Sequence, residues 1–181
     1  KLNKKEKKIL SNFTEKKLIL GGKNRSESLK NAIINIEKDK YDYLVVHDGA
    51  RPITPKSLLN DVFFNIKLNK FDCILPTSQV EDTLRKKNKT LNRDSYYLYQ
   101  TPQAFKFNIF FEAIKNNNKV VNDDFGFLEN KKNLKIKYID SKKGNIKITR
   151  SDDIDIFKKL ISHTIKYANG FDIHKLENGN Y

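Results

Sequence analysis

Between Tyr41 and Pro76 the chain runs Y-D-Y-L-V-V-H-D-G-A-R-P-I-T-P-K-S-L-L-N-D-V-F-F-N-I-K-L-N-K-F-D-C-I-L-P, and no other stretch limits the fold as much. Tyr41 to Val46 are too few and too β-branched for a helix, and they predict a buried strand. Thr54 as N-cap and Pro55 as first helical residue then open a helix, with Leu58, Leu59, Val62, Phe63 and Ile66 as its apolar stripe. Phe71 to Pro76 predict the next strand. A strand, a helix and a strand on short connections argue for an open α/β sheet.

The same alternation extends on both sides. K-L-I-L (Lys17 to Leu20) predicts a short strand punctuated by Gly21-Gly22. From Ser26, the spacing of Leu29, Ala32, Ile33 and Ile36 predicts a helix. The period fails in V-E-D-T-L-R-K-K-N-K-T-L-N-R, which predicts two polar extended pieces around a Lys/Asn turn: a protruding β-arm. T-P-Q-A-F leads into a helix carrying Phe107, Phe110, Phe111 and Ile114, and a short helix follows over Phe125 to Leu128. N-L-K-I-K-Y-I and N-I-K-I-T predict two more strands, closed by a helix from Ser151 with Ile154, Phe157, Leu160 and Ile161 on one side. The expected fold is therefore α/β, with a mostly parallel sheet and helices on both faces. Such sheets bind ligands beyond the carboxyl ends of their strands. That rule sets Gly21-Gly22, His47 to Arg51 and Pro76-Thr77 along one edge.

A chain of 181 residues, 38% hydrophobic and 32% charged, has room for one ordinary core. No run is long enough for a membrane span, and the single Cys73 can form no intramolecular disulfide, which points to a reducing cytoplasm. The formal net charge of +14 raises a nucleic-acid reading. The lysines are scattered from Lys1 to Lys175 and outnumber the arginines, however, so charge alone gives no specific nucleic-acid site. The chain opens on Lys1 within K-L-N-K-K-E-K-K-I-L, which reads as the middle of a helix or linker and sets the expectation of a fragment.

In H-D-G-A-R-P, Asp48 stands at a strand end where a short carboxylate reaches the crevice, Gly49 and Ala50 allow close backbone approach, and Arg51 offers a planar fork. These residues either bind a phosphate, a metal–phosphate or a hydroxyl, or they cap a turn against one another. Gly22, with the basic and serine residues before the helix, suits an anion at a helix N-terminus. Equally, Ser26 or Ser28 is an ordinary N-cap behind a glycine turn. Asp123 and Asp124 complement a helix dipole. Lys147, at the centre of a short strand between Ile146 and Ile148, calls for an anionic partner or a wet cleft. Asp172 and His174, two apart on an expected strand, share one face; they suit a divalent metal such as zinc, or simply a solvated strand face.

Taken in order, G-G-x-x-R-x-E-S-L, V-H-D-G-A-R-P, E-D-T-L, N-R, T-P-Q-A-F, D-D and N-I-K-I-T resemble the 2-C-methyl-D-erythritol 4-phosphate cytidylyltransferase family over about Leu18 to Ile161. G-F-D-I-H-K-L resembles the first strand of the 2-C-methyl-D-erythritol 2,4-cyclodiphosphate synthase family, whose D-x-H supplies zinc ligands; the two activities occur fused in this order. The resemblance implies a Rossmann-like nucleotidyltransferase sheet in residues 1–166, lacking the family's N-terminal glycine-rich loop. Residues 167–181 would be the first strand of a truncated second domain. It implies CTP and a sugar-alcohol phosphate as ligands, Mg2+ for transfer, and Zn2+ or another divalent ion held by Asp172 and His174. Gly22 and Ser28 would hold the cytosine or ribose, and Asp48, with Gly49 and Ala50, the phosphate or methylerythritol region. Arg51 would support that loop, and Lys147 would lie over the reacting phosphates. Thr83 and Arg93 would reach the sugar phosphate across a homodimer formed through the arm at 79–95.

Lys23 stands where many members carry an acidic residue, and N-D-D replaces T-D-D or T-D-E. The fragment alone is expected to be inactive, and its parent active. The rivals are a ribitol-5-phosphate cytidylyltransferase, a basic polyanion-binding module indifferent to the base of a nucleotide, and a non-catalytic subunit.

Overall fold

The structure, a computed structural model, describes residues 19–160 except 39, 116 and 118. The described residues divide into two compact units, one within 19–47 and 56–142, the other within 48–55 and 143–160.

The first unit is built on β2 (Cys73–Gln79), whose residues Cys73 to Pro76 are all buried. On one edge β2 pairs antiparallel with β6 (Gln103–Lys106) through Cys73 and Ile74, and then with β5 (Tyr97–Tyr99) from Thr77 onward. On the other edge it pairs in parallel with β7 (Ile136–Asp140). β6 in turn pairs antiparallel with β1 (Tyr43–Val46). β1, β2 and β7 therefore run in one direction, as the sequence predicts for its main strands. β6 runs against its neighbours, so the hydrogen-bonded ladders are mostly antiparallel rather than parallel. T-P-Q-A-F does not simply lead into a helix: its last three residues enter the sheet. The run is four residues long without a β-branched side chain, and only pairing on both edges makes it a strand.

Strand alternation sends successive side chains to opposite faces, and both faces are covered. Cys73, Leu75 and Phe105 join Ile33, Phe110, Ile114, Phe127 and Leu128 in one core. Ile74, Ala104 and Ile139 join Leu58 and Val62 in another. The first core is closed by α1 (Arg25–Ile33) and α3 (Phe107–Lys115), the second by α2 (Lys56–Leu68). The α2 stripe holds as expected at Leu58 and Val62, whereas Phe63 is half exposed. The helix begins at Lys56, one residue later than Pro55. Cys73 is fully buried, and burial, reinforced by Asp72, pushes its thiol up to about 12.

The arm is a hairpin of β3 (Arg85–Lys86) and β4 (Lys89–Thr90), turning through Lys87 at φ 53°. In the second unit, residues 151–160 are helical, but N-I-K-I-T forms no strand. Ile19 and Leu20 of K-L-I-L also lie in no strand, and Lys17 and Leu18 fall outside the described residues. Among the described residues no helix is long and apolar enough to cross a membrane.

The Phe105 and Phe110 rings stack with centroids 4.1 Å apart and planes 4° from parallel, both fully buried. Phe110→Ala is expected to destabilise the fold by about 3 to 5 kcal/mol, measured by denaturant unfolding. A loss below about 1 kcal/mol would mean that this core does not carry the unit.

Candidate active site

β1 ends at Val46, and the residues that follow do not make a bland turn. Within the second unit, the Arg51 N–H donates to the Asp48 carbonyl at 2.9 Å, closing a tight turn over Gly49 and Ala50. The Arg51 side chain is 9% exposed; its Nη1 donates to the Asn145 carbonyl at 2.6 Å and its Nε lies 3.7 Å from Asp48 Oδ2. Burial lowers the Arg51 guanidinium from its ordinary value, and Asp48 opposes that shift. The Ile148 N–H donates to the Ala50 carbonyl at 2.8 Å, fastening N-I-K-I-T to the same loop. Between these two ties stands Lys147, whose Nζ lies 3.1 Å from Asp48 Oδ2.

Asp48 thus faces two cations of different accessibility. Its side chain is 14% exposed, and the buried Arg51 serves the frame, while Lys147, at 43% exposed, opens to solvent. The lysine has the anionic partner that its position demands, though on an irregular segment rather than a strand. A lysine beside a half-screened carboxylate, presented by a loop held from behind, can exchange that carboxylate for a phosphate oxygen. Gly49 has open space where a Cβ would stand, so no close contact there demands glycine.

Just downstream, Asp153 Oδ2 accepts from Thr149 N at 2.8 Å, Thr149 Oγ1 at 3.1 Å and Arg150 N at 2.8 Å. The backbone bonds from Thr149 and Arg150 hold this carboxyl below the usual carboxylate value.

The glycine loop belongs to the first unit. The Gly22 N–H donates to Ser28 Oγ at 2.9 Å, and that hydroxyl donates to the Asn24 carbonyl at 2.8 Å. A Cβ on Gly22 would stand 2.3 to 2.7 Å from the Glu27 side chain, so glycine is required by close approach. The N-cap of α1 is Asn24, not Ser26 or Ser28: its side chain accepts from Glu27 N at 2.9 Å, and Glu27 reaches back to Lys23 N at 2.7 Å. Ser26 instead accepts from Val121 N at 3.0 Å. Arg25 grips the fully buried Asp124 with both nitrogens, at 2.5 and 2.7 Å. Asp123 caps the 3-10 turn at Asp124–Phe127, accepting from Gly126 N at 3.2 Å.

In the arm, Thr83 and Arg93 line one depression of about 430 Å³ with Leu84, Thr90 to Asn92 and Asp94. Arg93 Nη1 donates to the Glu81 carbonyl across the base of the arm. Asp172 and His174 fall outside the described residues. The structure therefore brings together Asp48, Arg51 and Lys147, separately Gly22 and Ser28, and separately Thr83 and Arg93. Asn145, Asp153 and the Arg25–Asp124 pair escape sequence reasoning because each acts on a backbone or a distant partner. The one available signal is the spacing T-R-S-D-D, which fits a carboxylate bonding back over a helix start.

Among the described residues no group of three or more His, Cys, Asp or Glu could hold a metal ion. One carboxylate does not make a zinc site. It does fit Mg2+, which binds through one or two carboxylates and takes its other ligands from substrate phosphates and water.

Breaking a buried pair strands a charge. Arg25→Ala is expected to cost about 3 to 5 kcal/mol in denaturant unfolding, and Asp124→Asn in that background to restore part of it. Equal stability of Arg25→Ala and the parent would refute the pairing's role. Asp153, held low in the folded state, contributes stability above its unfolded value that is lost as pH falls through the folded one. Asp153→Asn should melt below the parent at neutral pH, and the gap should close in acid. A gap independent of pH would mean that the charge is not what matters.

The chain as a whole is similar to known proteins. Residues 2–162 match the model of the IspD family, 2-C-methyl-D-erythritol 4-phosphate cytidylyltransferase. The chain is 37% identical to the "Bifunctional enzyme IspD/IspF" of Pelagibacter ubique, over 97% of this chain and 47% of that protein. It is 29% identical to the 2-C-methyl-D-erythritol 4-phosphate cytidylyltransferase of Petrotoga mobilis, over 87% of this chain and 71% of that protein. Among solved structures, the bifunctional IspDF of Campylobacter jejuni superposes with a TM-score of 0.71 at 31% identity, over 82% of this chain and 38% of that one. The chain spans about half the length of the bifunctional relatives it matches. With its family match running through every described residue, the chain belongs to the 2-C-methyl-D-erythritol 4-phosphate cytidylyltransferase family.

Proposed function

We propose that the protein transfers a cytidylyl group from CTP to 2-C-methyl-D-erythritol 4-phosphate and releases pyrophosphate, in the non-mevalonate route to isoprenoid precursors. The observation that carries this reading is the Asp48–Lys147 pair at 3.1 Å, backed by the buried Arg51. The substrate's phosphate oxygen attacks the α-phosphorus of CTP in line with the departing pyrophosphate. Such transfer needs positioning and charge neutralisation rather than a covalent nucleophile. Lys147 leaves Asp48 for the phosphate oxygens and offsets the charge that gathers there. Asp48 holds Mg2+ or a substrate hydroxyl, and Arg51 keeps the loop in place without touching ligand. Asp48 would be the residue to hold Mg2+, which would supply further charge neutralisation at the phosphates. Gly22 and Ser28 contribute the rigid loop for cytosine or ribose.

The exposed Tyr96, Tyr97 and Leu98 beside the arm support a homodimer through residues 79–95, with Thr83 and Arg93 serving the partner's sugar phosphate. Residues 1–166 form the transferase domain on this reading. Residues 167–181 begin a cyclodiphosphate synthase domain in which Asp172 and His174 supply two ligands to Zn2+ or another divalent ion, so that the parent protein also cyclises a later diphosphate intermediate. The bifunctional relatives support that continuation. A cytoplasmic location accords with a chemistry that uses soluble nucleotides.

Pyrophosphate release by the full gene product, with CTP, Mg2+ and either methylerythritol phosphate or ribitol phosphate, tests the reading. Release is expected with methylerythritol phosphate alone. Lys147→Ala and Asp48→Asn should each lower kcat/KM by about 10²- to 10³-fold. Release with ribitol phosphate alone would move the protein to the sister activity, and silence with both would refute the reading.

A further inference from the structure

Residues 145–149 form no regular strand, yet Lys147 keeps a defined ion pair with Asp48 at 3.1 Å. A lysine is a flexible stem, so its ammonium is only as well placed as the backbone that carries it. That backbone is tied upstream at Asn145 by Arg51, at 2.6 Å, and directly after the lysine at Ile148 by the Ala50 carbonyl, at 2.8 Å. Downstream it is tied by Asp153. A carboxylate that merely capped the helix at residues 151–160 would need only the Arg150 N–H, the reciprocal bond of a capping box. Asp153 Oδ2 also takes the Thr149 N–H at 2.8 Å and the Thr149 hydroxyl at 3.1 Å, outside the helix and two residues from Lys147.

We propose that Asp153 is a positioning residue for Lys147: by anchoring Thr149 and Arg150 it fixes the exit of the lysine segment so that the ammonium meets Asp48. On the transferase reading above, on which this catalytic consequence rests, the same anchor aims Lys147 at the phosphates. A misplacement of about 1 Å can cost about 10²-fold in rate. Asp153 touches no reacting group and acts through Thr149 and Arg150.

Trace acylation of lysines in the full gene product, read by peptide mass spectrometry, follows Lys147 directly. An ammonium engaged with a carboxylate is screened from the reagent and reacts slowly. Asp153→Asn is expected to raise the labelling of Lys147 relative to the exposed Lys143 by about threefold, the scale of one partly exposed ion pair. Asp153→Glu should restore the parent ratio. Thr149→Val deletes only the hydroxyl bond and leaves the helix cap in place, so it should give a smaller rise even if Asp153→Asn folds poorly. In pyrophosphate release, Asp153→Asn should lower kcat about tenfold with little change in KM for CTP. Unchanged Lys147 labelling in both Asp153→Asn and Thr149→Val would overturn the proposal. A labelling response in a protein that releases no pyrophosphate even as the parent would uphold the positioning role and remove the transferase reading instead.

Discussion

The first unit depends on the burial of β2 on both faces and along both edges. Cys73 to Pro76 are buried without exception, so neighbours must occupy every side of four residues. Alternation assigns Cys73 and Leu75 to one core and Ile74 to the other, and each core then needs a helix to close it. Pro76 shows how tightly this is arranged. A proline has no N–H for a central ladder. Here pairing with β6 ends at Ile74 and pairing with β5 begins at Thr77, so Pro76 falls in the gap between the two partners. Its carbonyl still accepts from Gln100 N at 2.9 Å, across the connection that joins β5 to β6.

The polar clusters follow a common plan, with one side chain in each pinning a backbone so that another is presented. Arg51 holds the Asn145 carbonyl and leaves Lys147 accessible. Ser28 holds Gly22, and Glu27 sits so close that no side chain fits there. Arg25 neutralises Asp124, a carboxylate that could not otherwise remain ionised without solvent. In the Asp48 cluster the residue most open to solvent, Lys147, is therefore not the one that holds the loop.

Much of the candidate site was legible because strand ends carry chemistry in α/β sheets. Asp48, Arg51 and Lys147 were all named from their places in H-D-G-A-R-P and N-I-K-I-T, and the structure unites them. The α2 and α3 stripes were legible because a period of 3.6 marks buried positions in the sequence itself. Asn145 was not, because its contribution to Arg51 is a carbonyl, which every residue has. Asn24 displaced the two serines as N-cap because the helix starts at Arg25, a boundary that side-chain preference alone leaves open.

The sequence by itself determined the central alternation of strands and helices, buried helix positions such as Leu58, Val62, Phe107 and Phe110, the hairpin arm and the motifs that place the chain in its family. These are local properties, written in spacing and residue type. Only the tertiary structure decided that Gln103–Lys106 enters the sheet against the direction of its neighbours, and that N-I-K-I-T stays outside any strand. Both outcomes rest on backbone hydrogen bonds between segments far apart in the chain, and the side chains of a short run do not record which partner will supply them.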